Sequence, residues 1–343
     1  MTDLTDRLWY GAGRPLWPLT PLSRLYQSIA ARRRKQLSAA APVLPVPVVV
    51  VGNITAGGTG KSPLTAWLAA HFEKQGWRPV ILSRGYGGKG SREKPLLVSA
   101  DTDPALAGDE PVMLAAQTRC PVVVHPKRLE SARLVLAGNL GNLLLCDDGL
   151  QHYGLNRDME IAVFDGARGI GNGAVIPAGP LREPVERLQE VDLVVVNGPA
   201  GPRVPDHSRS FTMTLQPAGV RHLLTGEVRD AGAWLQARSC VAVAGIGNPA
   251  RFFNQLTELG ARIEPRAFPD HHRYTEKDIA TGDERPVLMT AKDAVKIRPF
   301  ATEHCWVLDV APELTDSFAR AVDETLEHKL SIRGLNASLM RET

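Results

Sequence analysis

The sequence predicts an α/β fold, a parallel sheet with helices on both faces, continued by a second, smaller α/β series. Three observations carry this. A β-branched run at 46–51 ends on Gly52, as buried parallel strands do. A glycine-rich loop then leads into a stretch where Leu64, Trp67, Leu68 and Phe72 recur at helical spacing. Strand-like and helix-like stretches alternate through the rest of the chain. A length of 343 residues suits two packed units, and the near balance of Lys+Arg (40) against Asp+Glu (37) leaves a net charge of +3. With 43% hydrophobic and 22% charged residues the composition is globular, without the basic footprint of a nucleic-acid binder. Cys120, Cys146, Cys240 and Cys305 lack the paired spacing of a zinc or dithiol site and read as reduced thiols of a cytosolic compartment.

Residues 1–42 are the first element. Seven basic side chains (Arg7, Arg14, Arg24, Arg32, Arg33, Arg34 and Lys35) face only Asp3 and Asp6. Trp9, Tyr10, Leu16, Trp17, Leu22, Leu25, Tyr26 and Ile29 are interspersed with them. This mixture suits contact with an anionic lipid surface, and equally a helix that packs its apolar side on its own domain. No uninterrupted run of about 18 apolar residues exists, because the nearest candidate, 39–54, is broken by Pro42, Pro45 and Pro47, so no spanning helix is expected. A signal peptide is disfavoured as well, since the basic cluster follows the apolar residues.

Pro47 falls at the start of the valine strand, where a missing N–H is tolerated; Pro63 falls in the first turn of the next helix, and Gly76 marks its end. Further strands are expected at 80–82, 122–124, 143–146, 161–164 and 193–196, with helices at 110–117 and 128–136. Around Pro217, Ala218 and Gly219 two extended pieces read as a β-hairpin. It makes 209–226 a two-stranded linker between a unit at 43–208 and a second at 227–332. Strands at 241–246, 287–290 and 306–310 and helices at 249–259 and 315–330 build the second unit, and the tail 333–343 is expected to fray.

The most informative stretch is Thr55-Ala56-Gly57-Gly58-Thr59-Gly60-Lys61-Ser62, placed between strand and helix. Glycines let successive N–H groups curl inward around phosphate oxygens, and the helix N-terminus adds positive potential. Lys61 would reach the β- and γ-phosphates and Ser62 would hold Mg²⁺, which makes the sheet P-loop NTPase-like and the ligand a triphosphate. Thr55 stands where the usual pattern begins with glycine. The strand at 143–146 ends on Asp147 and Asp148, as P-loop proteins arrange carboxylates beside the metal, although two solvated aspartates at a strand end are also common.

Substrate residues must choose among the many activities this loop supports. Thr290-Ala291-Lys292-Asp293 fails the spacing of a guanine-reading motif, and Ala56 stands where partner-positioning ATPases often carry lysine. A kinase acting on an alcohol needs a general base, because the hydroxyl is too weak an acid to ionise at neutral pH. Asp109 and Glu110, in a loop before a helix, and Asp270-His271-His272 supply candidates. Spacing alone leaves open that Asp109 is a helix cap and His271 a surface residue. A kinase for a soluble sugar and a nucleotide-switched binding protein remain the rivals.

Several separated motifs, in order, resemble the tetraacyldisaccharide 4'-kinases of lipid A biosynthesis: V-G-N-I-T-A-G-G-T-G-K-S-P, L-S-R-G-Y-G-G, G-D-E-P, D-D-G-L-Q-H, G-P-L-R-E-P, F-P-D-H-H and T-A-K-D-A-V-K, spanning 46–296. The resemblance implies two α/β/α domains joined by a two-stranded linker. It also implies transfer of the γ-phosphate of ATP to the 4'-hydroxyl of tetraacyldisaccharide 1-phosphate, forming lipid IVA at the cytoplasmic face of the bacterial inner membrane. No nucleic acid and no obligate protein partner are expected. By motif it makes Asp109 the base paired with His271, with Lys61 on the transferred phosphate. Ser62, Glu110 and Asp148, with Asp147 beside them, fall where the family arranges Mg²⁺. Arg84, Tyr86, Gln151, His152 and Arg182, and more weakly Arg128, fall at positions suited to the disaccharide and its phosphate. Closure about the hairpin is expected to bring His271 to Asp109. T-A-K-D carries Ala291 where an acidic residue is expected, so Lys292 and Asp293 receive no role. A tetraacylated substrate lives in a bilayer, which favours the peripheral-membrane reading of residues 1–42.

Overall fold

The computed structural model describes residues 4–11, 15–90 and 93–342. Of the basic amino-terminal segment, Asp3 and Arg14 lie outside the described residues. The chain folds into two compact units, one of Met1–Arg84, Thr118–Thr214 and Pro312–Thr343, the other of Gly85–Gln117 and Leu215–Ala311.

The first unit is built on a parallel sheet in which the strand Val48–Gly52 lies between Leu143–Cys146 and Met159–Asp165. Pro79–Ser83 and Val122–Val124 extend it on one side, and Leu193–Asn197 and the first residues of Ser210–His222 extend it on the other. Every residue of Val48–Gly52, Pro79–Ser83 and Leu143–Cys146 is buried, which explains why these strands read as continuous apolar runs rather than alternating ones. Each strand expected from the sequence in this unit is present, within two residues at either end.

The second unit orders its strands Arg262–Ala267, Ser239–Ala244, Val287–Thr290 and Cys305–Glu313, with the end of Ser210–His222 beside the last. The first four pair in parallel. Two cores, one around Trp234, Phe252, Leu256 and Trp306 and the other around Tyr274, Ile279, Met289 and Ile297, cover its faces.

Three expectations need correction. The hairpin is not centred on Pro217: Ser210–His222 is one strand, and its antiparallel partner is Val228–Arg229, with Val220 opposite Arg229. Pro217 lies between the stretches paired with Leu193–Asn197 and with Val228–Arg229. The turn instead falls at 223–227, closed by the Gly226 N–H donating to the His222 carbonyl with Gly226 at φ +75°.

The division at 226/227 also differs. Residues 85–117 belong with the second unit, and Pro312–Thr343 belong with the first. The helix Asp316–Ile332 belongs there because Phe318 packs on Trp67 and Phe211 and Asp323 pairs with His71 at 2.8 Å. Nor does the tail fray. Arg333 ion-pairs with Asp158 at 2.6 Å, the Asn142 amide donates to the Met340 carbonyl at 2.7 Å, and a last helix, Ala337–Glu342, follows. Polar anchors far away in sequence hold it, and local periodicity carries no trace of them.

The amino-terminal segment forms two α-helices, Leu4–Tyr10 and Thr20–Ala39. On the longer one Leu22, Leu25, Tyr26 and Ile29, which share a face at i, i+3, i+4 and i+7, are exposed, and Trp17 just before it is 83% exposed. The buried contact is made by Ser23, whose hydroxyl donates to the Val175 carbonyl at 2.8 Å. The helix therefore attaches through its polar side and turns its apolar stripe outward. No helix among the described residues is long and apolar enough to cross a membrane.

Candidate active site

The phosphate loop leaves the central strand of the first unit and ends at the helix Lys61–Lys74. Its departure from the usual pattern has a local cause: Thr55 bridges to Leu181 in extended conformation, and the Ala56 N–H donates to the Pro180 carbonyl at 2.8 Å. A residue in extended backbone has no need of glycine. The turn proper uses Gly57 at φ +111° and Gly60 at φ +97°. A Cβ on Gly60 would come within 2.6 Å of Asn197 Nδ2. Asn197 donates to the Thr59 carbonyl at 3.1 Å, Tyr10 Oη donates to the Ala56 carbonyl at 2.9 Å, and the Asn53 amide donates to the Gly57 carbonyl at 3.3 Å. These three clamps were not read from the sequence; an Asn closing a valine strand was the only trace of Asn197. They hold the loop by its carbonyls. The N–H groups of Gly57, Gly58, Thr59 and Gly60 make no hydrogen bond among the described residues, the arrangement an anion-binding nest requires.

Lys61 and Ser62 begin the helix, beside the carboxylates expected to serve them. Lys61 Nζ lies 3.6 Å from Asp148 Oδ1, Ser62 Oγ donates to Asp147 Oδ2 at 3.3 Å, and Thr65 Oγ1 donates to Asp147 Oδ1 at 2.9 Å. Asp148 takes φ +48°, while Arg182 reaches it at 3.3 Å. Burial pushes the Asp148 carboxyl up, but Lys61, Arg182 and Arg128 outweigh it and bring it down to about 2, so it is a carboxylate across the physiological range. Ser62, Asp147 and Asp148 form a donor set of hard oxygens suited to Mg²⁺. Among the described residues no group of three or more His, Cys, Asp or Glu is placed to hold a metal by itself, and Mg²⁺ is commonly held by one or two carboxylates together with substrate phosphates.

The expected substrate residues of the first unit gather around the same pair of aspartates. Gln151 donates to the Asn53 carbonyl at 3.0 Å and to Glu183 at 2.8 Å, and Arg182 contacts its side-chain oxygen at 3.4 Å. Arg128, only 3% exposed, donates through Nη2 to the Asp147 carbonyl at 2.8 Å, leaving Nε and Nη1 without a partner among the described residues. Burial, with Arg128 and Arg84 nearby, holds the His152 imidazole down to about 3, so it is neutral at pH 7. Arg84 itself is exposed just beyond the strand Pro79–Ser83.

In the second unit, Asp109 opens the helix Asp109–Gln117. Its Oδ2 lies 3.2 Å from His271 Nδ1. The two belong to one unit, which corrects the expectation that closure brings them together: the 85–117 segment is already packed there. The Tyr86 ring stands 5.4 Å from the His271 ring and is otherwise exposed. Glu110 contacts Lys292 at 3.6 Å. The expected residues therefore form two groups, one in each unit: Lys61, Ser62, Asp147, Asp148, Gln151, His152, Arg128 and Arg182, and then Asp109, Glu110, His271 and Tyr86.

A family model described as tetraacyldisaccharide-1-P 4'-kinase matches residues 15–327. Proteins named tetraacyldisaccharide 4'-kinase are similar over most of their length. That of Nitrosococcus oceani is 45% identical over 330 residues, covering 95% of both chains. That of Hahella chejuensis is 44% identical, covering 95% of this chain and 97% of the relative. That of Alkalilimnicola ehrlichii is 48% identical over 295 residues, covering 85% and 87%. Among solved structures, LpxK from Aquifex aeolicus in complex with ATP superimposes with a TM-score of 0.77 at 27% identity, covering 90% of this chain and 98% of the other.

Proposed function

The chain belongs to the tetraacyldisaccharide-1-P 4'-kinase family, and from that premise we propose that it moves the γ-phosphate of ATP to the 4'-hydroxyl of tetraacyldisaccharide 1-phosphate. The product is the 1,4'-bisphosphate lipid IVA, and the enzyme works as a peripheral protein at the cytoplasmic face of the bacterial inner membrane. The observation that carries the reading is the 3.2 Å pairing of Asp109 with His271 in a chain that also has a glycine-rich loop ending in Lys61 and Ser62 at a helix start. A switch protein needs the loop alone; a kinase for an alcohol needs a base as well.

The chemistry follows from these side chains. The loop N–H groups and the Lys61 ammonium bind the phosphate oxygens of ATP. Ser62, Asp148 and Asp147, with Glu110 as the resemblance implies, would hold Mg²⁺, which when bound neutralises charge on the triphosphate. Asp109 takes the 4'-hydroxyl proton as that oxygen attacks the γ-phosphorus, and the bond to the ADP oxygen breaks, with ADP carrying the electron pair. His271, in contact with Asp109, orients the carboxylate and shares the proton. Arg182, Arg128, Arg84, Gln151, His152 and Tyr86 are the candidates for the sugar and its 1-phosphate, arginine being apt because its planar fork grips phosphate bidentately.

The outward-facing Trp17, Leu22, Leu25 and Ile29, flanked by exposed Arg24, Arg32 and Arg33, support an anionic membrane surface as the place of work and favour a lipid over a soluble sugar. The test is incubation with γ-labelled ATP and tetraacyldisaccharide 1-phosphate in mixed micelles. Label should appear at the 4'-position and require the lipid; ATP hydrolysis without labelled lipid would overturn the assignment.

A further inference from the structure

The helix Ala291–Ile297, with Thr290 as its N-cap, carries the T-A-K-D-A-V-K motif, whose Lys292 and Asp293 the resemblance leaves without a role. Its two lysines stand at i and i+4, hence on one face. Lys296 Nζ lies 3.0 Å from Asp293 Oδ1 and 3.9 Å from Asp109 Oδ2, the same Asp109 oxygen that contacts His271. Lys292 Nζ lies 3.0 Å from Asp270 Oδ1 and 3.6 Å from Glu110. We infer that this helix is the scaffold of the Asp109–His271 pair, with Lys296 positioning the carboxylate and Lys292 positioning the segment that carries the imidazole. The inference rests on Asp109 being the base.

The anchor is Asp293. It is fully buried and accepts from the Gly245 N–H at 3.2 Å, Tyr274 Oη at 3.0 Å and Thr290 Oγ1 at 2.7 Å. A carboxylate fixed by three donors in the core is a rigid post. A Cβ on Gly245 would meet Tyr274 Oη at 2.6 Å, so glycine there lets the donors converge. Lys296, its ammonium 4.9 Å from the centre of the Tyr274 ring, lies between that post and Asp109 and ion-pairs with both. With Oδ2 engaged by Lys296 and His271, Oδ1 of Asp109 has no protein partner among the described residues, and it is the oxygen free to receive the substrate proton.

Lys292 acts on the other partner. His271 sits at φ +61°, a left-handed conformation that strains a non-glycine residue. Asp270 Oδ1 accepts the His271 N–H at 3.0 Å while it receives the Lys292 ammonium, so the strained backbone is held from its own neighbour. Asp109, Glu110 and Asp270 would otherwise repel one another; two ammonium groups on one rigid helix settle their positions.

The test uses the full-length protein with ATP and tetraacyldisaccharide 1-phosphate in mixed micelles. Lys296→Met should lower kcat about 10- to 100-fold with both KM values within about twofold, and Lys296→Arg should recover most of the loss. In an Asp109→Asn background Lys296→Met should cost nothing further. Wild-type kcat for Lys296→Met beside a crippled Asp109→Asn overturns the scaffold and leaves the base standing. Equal losses in both backgrounds overturn it also, and a fully active Asp109→Asn sinks the base itself. If melting curves show Lys296→Met unfolded, Lys292→Gln decides. It should lose about tenfold in kcat and be silent in the Asp109→Asn background, and unchanged kcat rejects the helix as scaffold.

Discussion

The two units assemble their polar groups in opposite ways. In the first, the proposed anion site lies within eight consecutive residues, Thr55 to Ser62, with the backbone N–H groups of Gly57 to Gly60 unpaired among the described residues, and the strand next door delivers Asp147 and Asp148. In the second, Asp109 and His271 are 162 residues apart in the chain, and Lys296, on a third segment, touches Asp109. A backbone nest tolerates side-chain change so long as its φ values survive. A dispersed pair depends on every segment that supports it. Damage should therefore be graded and local in the first unit, and steep and long-ranged in the second.

The sharpest break is Asp109→Ala, which should cut kcat about 10²- to 10⁴-fold while ATP affinity stays within about twofold, read by isothermal titration beside steady-state rates. Intact turnover would remove Asp109 as base. Lys61→Ala should behave differently and weaken ATP binding about 10- to 100-fold along with turnover, since a charge-assisted contact is lost from ground and transition states alike. Should it spare ATP binding, the nest alone carries the triphosphate.

A smaller effect tests the amino-terminal helix. Replacing Leu25 and Ile29 together with serine should lower partition into anionic vesicles at least about tenfold, because each buried aliphatic side chain is worth about 1.5–3 kcal/mol. The melting temperature should hold, as both residues are exposed. Unchanged sedimentation with vesicles would assign the stripe elsewhere. The smallest effect concerns His152. Its imidazole is held down to about 3 in the folded state against an ordinary value of 6.5, so the unfolded chain binds the proton more readily. Its contribution to stability is present above about pH 6.5 and fades as pH falls toward 3. His152→Asn should flatten the melting temperature against pH in that window, and parallel curves would place the acid sensitivity in other groups.

How much could be read in advance follows the same contrast. The phosphate loop and the aspartates were legible because backbone geometry demands glycine at fixed places and a buried strand demands apolar residues up to its polar end. The strand Arg262–Ala267 was not, since an edge strand with exposed Arg262, Glu264 and Pro265 shows neither alternation nor an apolar run. Motif resemblance named Asp109 and His271, but it misjudged how they meet. Lys296 closes a quoted motif, yet no role for it was legible, because a lysine on a helix is ordinary until the buried Asp293 beside it is seen.

The sequence by itself determined the alternation of strand and helix and the glycine-rich turn, which depend on neighbours within a few residues of each other, and through its separated motifs the family. Tertiary structure alone decided that 85–117 joins 215–311, that the tail is pinned by Arg333 to Asp158, and that the apolar stripe of Thr20–Ala39 faces outward. Those outcomes turn on burial and ion pairing between segments far apart in the chain, energies that no local pattern encodes.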